Sequence, residues 1–281
     1  MKKSTITLGI AAAMSTVLLG SCGLGQKHDE SEVRFTHMLA EASYRLVGSG
    51  ADYEYADSCD LSFGSKAEFI MPEVLLGKDV RQLQDTIMML AFNKKGEDVA
   101  RVMRESLPAM ASEVGYELAD TVLPDSVVAK FPNFLSRYDG VSSVSGEVET
   151  LNPEFMSYAV TCSGYIPGAA HGMYATYYVN YDMTEGKIVT LGDLFTDEGL
   201  ESLVGNIRSK AREMRDVIGP TDIDGLPSKG NFYLTDDNSI VFAYPPYEAA
   251  SYAQGEVKIS IPAYLLSTGL TPVGNRLLLN Q

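Results

Sequence analysis

Residues 173–181 constrain the fold of this chain most, because their side chains divide between two faces with a period of two. One face carries Met173, Ala175, Tyr177, Val179 and Tyr181, and the other carries Tyr174, Thr176, Tyr178 and Asn180. A period of two is that of a β-strand. The sequence Thr184-Glu185-Gly186-Lys187 then predicts a hairpin turn into a strand over residues 188–191.

Other stretches show the same alternation and predict further strands. They cover residues 33–39, 141–150, 155–165, 232–234, 240–244 and 256–261. Residues 47–72 contain glycines between aromatic side chains, which indicates strands joined by turns. The sequence Asp236-Asp237-Asn238 predicts a turn between two of the later strands.

Helical periodicity separates these strands into two groups. After residue 78, apolar residues fall on one helical face, and Asn93-Lys94-Lys95-Gly96 supplies a stop. A second helix is predicted from Glu97, and Pro108 is expected to kink or divide it. A third helix is predicted with Asp197 as its N-cap and a long apolar stripe. Strands in two groups with helices between them predict an α+β fold, with mainly antiparallel sheets, packed helices and two subdomains.

The N-terminus resembles the export signal of a bacterial lipoprotein. Lys2 and Lys3 precede an apolar stretch at residues 6–19 that is too short to span a bilayer comfortably. Leu19-Gly20-Ser21-Cys22 then resembles the lipobox at which such a signal is cleaved and Cys22 is lipidated. Acyl chains on Cys22 would anchor the mature protein in the cell envelope. No inner-membrane retention signal follows Cys22, so we expect the outer membrane, on its periplasmic or surface side.

The chain is strongly acidic. Its formal net charge is −15, and removal of residues 1–21, which carry two lysines and no acidic residue, makes it −17. Such a charge disfavours nucleic acid as a partner and favours encounter with a basic partner. Solubility alone is the simpler explanation for any single charged residue.

Two cysteines remain once Cys22 carries lipid. Cys59 and Cys162 would lie in an oxidising compartment, where disulfides are expected more often than thiols. They are a candidate disulfide, although buried thiols are also common.

Two local motifs supply candidate ligand-binding residues. Gly168-Ala169-Ala170-His171-Gly172 surrounds an imidazole with small residues, which allows a tight turn and the close approach of another chain. His171 either contacts a ligand or bonds neighbouring backbone within the turn. Tyr174, just inside the strand that follows, belongs to the same candidate set.

The second motif is an aromatic loop at residues 244–255. It contains Tyr247, Glu248 and Tyr252, and tyrosines combine a rigid contact area with a polar tip. Such a loop suits recognition of proteins or sugars, unless its rings pack on their own domain.

The motifs of several enzyme classes are missing from the sequence. There is no metal-ligand spacing, phosphate loop, dinucleotide fingerprint or Gly-x-Ser-x-Gly elbow. We therefore expect no metal and no cofactor, and assign no catalytic residue. One alternative is a cell-wall-active hydrolase in which His171 and a nearby carboxylate, such as Glu248, act as acid and base. Another is a structural subunit of an envelope assembly.

The two motifs and the segment between them resemble the C-terminal domain of the RsiV-like family. In that family a Gly-Gly-Ala-His loop opens a tyrosine-rich strand, and a Gly-Lys-x-(x)-Thr-Leu-x-Asp-Leu-Phe segment follows, matched here by residues 186–195. A Phe-x-Leu strand and a Tyr-Glu-x-x-Pro-Tyr-Ala-x-Gly loop complete the pattern, matched by residues 232–234 and 247–255. Ala169 and Ser251 depart from it. The residues before this region resemble, more faintly, the domain that accompanies the catalytic domain of PdaC-like peptidoglycan deacetylases.

The resemblance implies binding at the cell envelope. Anti-sigma factors of the family bind lysozyme, a very basic protein, through this extracytoplasmic region, and an acidic chain suits such a partner. We therefore expect a lipid-anchored binding protein for a basic protein of the lysozyme type, or for peptidoglycan or a host glycan. The expected organisation is a signal peptide at residues 1–21, a tether at 22–32, a PdaC-accessory-like α+β domain at 33–165 and an RsiV-like α+β domain at 166–281.

Overall fold

The structure, a computed structural model, describes residues 32–45, 62–96, 98–113, 140–165, 170–218 and 231–279. The lipidation site Cys22, the signal peptide, nearly all of the tether, Cys59 and the first two residues of the Gly168–Gly172 motif lie outside these residues. Within them, no helix is both long and apolar enough to cross a membrane.

The larger of two sheets contains six strands in sequence order. They are β1 (Val33–Arg45), β2 (Ser62–Leu75), β3 (Gly140–Leu151), β4 (Phe155–Tyr165), β5 (Met173–Asp182) and β6 (Lys187–Val189). All neighbours are antiparallel except β2 and β3, which are parallel. The predicted turn at residues 184–187 is confirmed, with Gly186 at a φ of +72°. β4 and β5 are adjacent in this sheet, although the predicted domain boundary falls between them.

Two helices cover one face of the six-stranded sheet. α1 (Arg81–Phe92) ends at Asn93, whose left-handed backbone bonds Met89, as the predicted stop requires. α2 (Val99–Glu113) continues through Pro108, so of the two predicted effects of this proline, a kink or a division, the division is wrong. Leu107 and Met110, on either side of it, are buried in the core, and this packing opposes a break. The helix–sheet core comprises mainly Ala67, Phe69, Met71, Leu83, Ile87, Met88, Val102, Met103, Met156, Tyr158, Val179 and Tyr181.

The smaller sheet and the remaining helices enclose a second core. Its antiparallel strands are β7 (Asn231–Thr235), β8 (Ser239–Tyr244) and β9 (Val257–Pro262), and its helices are α3 (Leu191–Leu194), α4 (Asp197–Glu213) and α5 (Pro272–Leu279). The core includes Leu203, Ile207, Ala211, Leu234, Phe242, Ile259, Ile261, Leu277 and Leu278. Together the two sheets confirm the predicted α+β class with mainly antiparallel pairing.

Two details of the predicted helices are wrong. Thr196, not Asp197, is the N-cap of α4, because its hydroxyl accepts the Gly199 N–H at 3.1 Å. Leu191, predicted in a strand, is the first residue of α3, where a Thr190–Asp193 capping box begins the helix. Gly199 must remain small, since a Cβ there would lie 2.1 Å from the Gly269 carbonyl oxygen.

Buried polar side chains join the small sheet to the large one. Asn180 of β5 donates to the Phe232 carbonyl at 2.9 Å, and its amide oxygen accepts the Leu234 N–H at 3.2 Å. The hydroxyl of Ser157 on β4 also accepts from Leu234 at 3.0 Å. Because both side chains are buried and bonded to β7, they complete the hydrogen bonding of its outer edge.

Candidate functional site

The candidate site forms where the N-terminal end of β5 meets the loop between β8 and β9. His171 and Gly172 directly precede β5, and Tyr174 lies on the strand face that carries Thr176, Tyr178 and Asn180, as the alternation predicts. This is also the face that the small sheet contacts through Asn180. The alternation of β5 therefore places Tyr174 on the same side as the aromatic loop.

The loop is attached to the second core and displays its tyrosines from there. Ala249 and Tyr244 are buried in that core. Tyr247 occupies the left-handed region at a φ of +73°, and its N–H bonds the Ala250 carbonyl at 2.9 Å. A bulky residue in this region stores backbone strain, which the surrounding contacts must offset. The turn leaves the Tyr247 residue 58% exposed.

Three tyrosines and the histidine form one group, which we call the tyrosine–histidine cluster. The imidazole of His171 stacks on the Tyr252 ring, with centroids 3.6 Å apart and planes 13° from parallel. The Tyr247 hydroxyl lies 3.0 Å from Nε2 of His171. Tyr174 meets Tyr252 edge to face, with centroids 6.3 Å apart. The structure thus brings together His171, Tyr174, Tyr247 and Tyr252.

The hydrogen bonds of His171 define its tautomer. Nδ1 lies 2.8 Å from the Gly172 carbonyl oxygen, which can only accept, so Nδ1 carries the hydrogen. In the neutral imidazole, Nε2 is then the acceptor for the Tyr247 hydroxyl. Both ring nitrogens are engaged, and the imidazole is held by a stack and two hydrogen bonds. The arrangement suits a fixed contact surface better than a proton-transfer group.

Gly255 is needed where β9 approaches Tyr174. The Tyr174 hydroxyl accepts the Glu256 N–H at 3.2 Å. Gly255 has a φ of +75°, and a Cβ on it would lie 3.1 Å from the Tyr174 hydroxyl oxygen. The last glycine of the predicted loop motif therefore permits both the turn and the close approach.

Glu248 is next to the cluster in sequence but does not bond its histidine. The two ring nitrogens of His171 bond Gly172 and Tyr247 instead. Burial raises the pKa of the Glu248 carboxyl. Burial, with a smaller contribution from the Glu248 charge, raises the pKa of Tyr244 to about 12. Glu248 therefore lies close to Tyr244, and it forms no hydrogen bond with His171.

A second aromatic group, which was not among the predicted site residues, lies further along β5. Tyr178 and Tyr233 stack with centroids 4.5 Å apart, and the ammonium of Lys258 lies 5.6 Å and 5.2 Å from their centroids. Glu256 pairs with Lys258 at 3.5 Å. Burial raises the pKa of Tyr178 to about 12. The alternation that placed Tyr178 on the face of Tyr174 was the available signal.

The predicted cysteine sites lie only partly within the described residues. Cys162 is half-buried on β4, where its thiol lies 3.9 Å from the Leu90 carbonyl oxygen. Cys59 and Cys22 lie outside the described residues. The Cys59–Cys162 disulfide and the lipidation of Cys22 therefore stay predictions. In the described ranges, no three His, Cys, Asp or Glu side chains are grouped as metal ligands would be.

The fold is α+β with two sheets, and the tyrosine–histidine cluster forms a partly exposed aromatic surface where the end of β5 meets the loop of the smaller sheet. Residues 192–264 match the model of the DUF3298 family, described as a protein of unknown function. The matched residues include the aromatic loop but begin after His171 and Tyr174. No curated protein matches the chain.

Two solved structures share the fold. A DUF3298 family member from Bacteroides fragilis NCTC 9343 superposes with a TM-score of 0.66 at 19% identity, covering 90% of this chain and all of its own. A DUF3298 family protein from Pseudomonas aeruginosa PAO1 gives a TM-score of 0.51 at 15% identity, covering 87% of this chain and 97% of its own. At these identities the likeness concerns the fold alone, and the RsiV-like and PdaC-like assignments stay predictions.

Proposed function

We propose that this chain is a lipid-anchored binding protein of the cell envelope that recognises a partner through the tyrosine–histidine cluster. The observation that carries the proposal is the exposure of Tyr247, which is 58% exposed although its hydroxyl is bonded to His171. Aromatic side chains that are held in place and reach solvent are favoured at recognition surfaces, since little conformational freedom is lost on binding.

A basic protein of the lysozyme type is the first-choice partner, and peptidoglycan or a host glycan is the second. The net charge of −17 that remains after removal of residues 1–21 supports the first choice, because opposite charge speeds encounter. The resemblance to lysozyme-binding proteins supports the same choice. Attachment through Cys22 and an outer-membrane location belong to the proposal, and both rest on the sequence of residues 1–22.

The geometry favours binding over the hydrolase alternative. Nε2 of His171, the ring nitrogen that does not bond the backbone, bonds the Tyr247 hydroxyl, so a substrate would have to displace this tyrosine before the imidazole could exchange a proton with it. Turnover of peptidoglycan that His171→Ala abolishes would reverse this preference.

Binding to lysozyme, measured by surface plasmon resonance, tests the proposal. We expect Tyr247→Ala and Tyr252→Ala each to raise the dissociation rate and to cost about 2 kcal/mol of binding free energy, the size of an aromatic hot spot. Tyr264→Ala is the matched control, because Tyr264 is 70% exposed but lies outside the cluster. Circular dichroism must show all three variants folded. Unchanged dissociation of both cluster variants would remove the cluster from the interface.

Salt distinguishes the electrostatic part of the proposal from the aromatic part. Raising the ionic strength from low to physiological shortens the Debye length from ~30 Å to ~8 Å. We expect the association rate to fall much more than the dissociation rate changes. Absence of lysozyme binding at low salt, together with retention on peptidoglycan, would make the glycan the preferred partner.

A further inference from the structure

Protonation of His171 would change only one of the contacts that hold its ring. The imidazole stacks on Tyr252 with centroids 3.6 Å apart, and because an aromatic face also attracts a cation, this stack suits both protonation states. Nδ1 carries a hydrogen in both states and keeps its bond to the Gly172 carbonyl. Nε2 accepts from the Tyr247 hydroxyl in the neutral imidazole but must donate in the imidazolium. The ring is therefore held in place while the direction of one hydrogen bond can reverse.

The Tyr247 hydroxyl would carry this reversal to the surface. Conjugation keeps a phenolic hydrogen in the plane of its ring, so the hydrogen lies on one side of the oxygen or on the other. In the neutral state it points to Nε2, and the opposite side of the oxygen presents a lone pair. In the imidazolium state the lone pair faces Nε2, and the hydrogen points away. The hydroxyl has no other hydrogen-bond partner among the described residues, and Tyr247 is 58% exposed, so a partner would meet this opposite side.

We propose that the Tyr247 hydroxyl binds a hydrogen-bond donor of a partner protein, and that protonation of His171 weakens this binding. In the neutral state the free side of the hydroxyl can only accept, so a group that bonds it must donate. After protonation the same side presents a hydrogen, which opposes a donor. Histidine is the side chain whose charge ordinarily changes between about pH 8 and about pH 5. The inference rests on the proposed function, because it names the group that the cluster recognises and the condition that releases it.

Other titratable side chains around His171 must be distinguished from it. They lie at the end of β4, on β5, on the aromatic loop and at the start of β9, and they are Tyr165, Tyr174, Tyr247, Glu248, Tyr252, Glu256 and Lys258. Tyrosine and lysine keep their protons over this pH range. Burial raises the pKa of both carboxyls, which brings their titration toward the range. Glu248→Gln and Glu256→Gln are therefore controls, and both should keep the pH dependence that the Tyr247 hydroxyl causes.

Lysozyme binding to the wild type and to Tyr247→Phe, measured at about pH 8 and about pH 5 in physiological salt, tests the switch. The phenylalanine keeps the ring and loses the hydroxyl. His171 and lysozyme titrate in both measurements, so their charges cancel in the comparison. At the higher pH the variant should bind about tenfold more weakly than the wild type, the size of one hydrogen bond. At the lower pH the two should bind equally.

The same pH dependence in both proteins would overturn the proposal, since the hydroxyl would then not respond to protonation. Tighter binding of the wild type than of the variant at the lower pH alone would also overturn it, because the partner group would then be an acceptor. Loss of binding in Tyr247→Ala without this difference would keep the cluster as the binding surface and reject the switch. Absence of lysozyme binding at both pH values, with retention on peptidoglycan, would overturn the assignment to a partner protein.

Nitrogen NMR of the imidazole tests the direction of the hydrogen bond without a partner. In the isotope-labelled full chain, the imidazole signals that His171→Gln removes belong to His171. At the higher pH we expect a protonated Nδ1 and an unprotonated Nε2, and at the lower pH two protonated nitrogens. A protonated Nε2 at the higher pH would overturn the proposal, because the Tyr247 hydroxyl would then already accept from it. An unprotonated Nε2 at the lower pH would overturn it as well.

Discussion

The two ends of β5 meet the C-terminal part of the chain in opposite ways. At the C-terminal end, Asn180 and Asp182 are 1% and 0% exposed, and each bonds a specific partner on β7 or α5. At the N-terminal end, His171 and Tyr174 meet tyrosines that reach solvent. Buried polar groups must all be bonded, so they define one arrangement of the sheets. Exposed aromatic rings are not so constrained, and they remain accessible to a partner.

Substitutions that act on only one end of β5 test this difference between the two ends. If it is correct, changes at the C-terminal end lower stability strongly, whereas changes at the N-terminal end affect stability less and affect binding more.

The largest effect is expected for Arg276→Met. Arg276 of α5 bonds the fully buried Asp182 at 2.5 Å and Glu154 at 2.8 Å. Removal of the guanidinium leaves Asp182 buried without its counter-charge, which should lower the free energy of unfolding by about 3 kcal/mol in urea denaturation. Lys210→Met is the control, because Lys210 forms an exposed pair with Glu213 and should cost much less. Equal losses would contradict the assignment of Asp182 as a buried anchor.

A somewhat smaller loss is expected for Asn180→Leu. The leucine cannot bond Phe232 or Leu234, so buried groups of β7 lose partners at a cost of about 2 kcal/mol. Ser157→Ala should cost less, because Asn180 would still accept from Leu234. In the double variant the two losses should not add, because Ser157 and Asn180 bond each other at 2.7 Å. Additive losses would show that they do not act together.

The main features of the fold could be predicted from periodicity, but the hydrogen bonds that connect the two sheets could not. The alternation of residues 173–181 assigned each side chain to its correct face, because a strand period needs only local information. Ser157 and Asn180 give no such signal, since small polar residues are usually exposed. Their partner Leu234 is 77 and 54 residues away, so only the folded chain shows that they are buried.

The candidate site was predictable as two motifs, but not as one surface. Small residues identified His171, and the density of aromatic residues identified the loop. Their contact joins residues 76 positions apart, and no spacing rule relates a strand end to a loop of another sheet. The bonds of the Asn231 carboxamide to the Tyr178 N–H and the Thr176 carbonyl were hidden for the same reason. Ligand binding by these residues stays a prediction.

A smaller effect on stability is expected from the backbone of Tyr247. Its φ of +73° favours glycine, so Tyr247→Gly should be more stable than Tyr247→Ala by about 1 kcal/mol, although both variants lack the ring. Thermal or urea unfolding measures the difference. The same two substitutions at Glu248, which is not at positive φ, should give no advantage to glycine. A more stable alanine variant at 247 would argue against the left-handed turn that exposes the tyrosine.

The smallest effect concerns pH and the carboxyl of Glu248 beside the cluster. Burial raises the pKa of Glu248 in the folded chain above its usual 4.5, so the folded state holds this proton more tightly than the unfolded state. The stabilisation is complete below the unfolded pKa and is lost as the pH rises through the folded pKa. The unfolding free energy of the wild type relative to Glu248→Gln should therefore fall as the pH rises from about 4 to about 7.

Asp193 supplies the control with the opposite sign. A hydrogen bond from the Thr190 side chain lowers the pKa of Asp193 below its usual 3.8, so its stabilisation is present above that value and is lost as the pH falls. The wild type relative to Asp193→Asn should therefore gain stability as the pH rises from about 3 to about 5. If the stability difference between wild type and Glu248→Gln also rose with pH, Glu248 would be stabilised by a hydrogen bond rather than destabilised by burial. Glu248 would then resemble the bonded polar residues at the C-terminal end of β5.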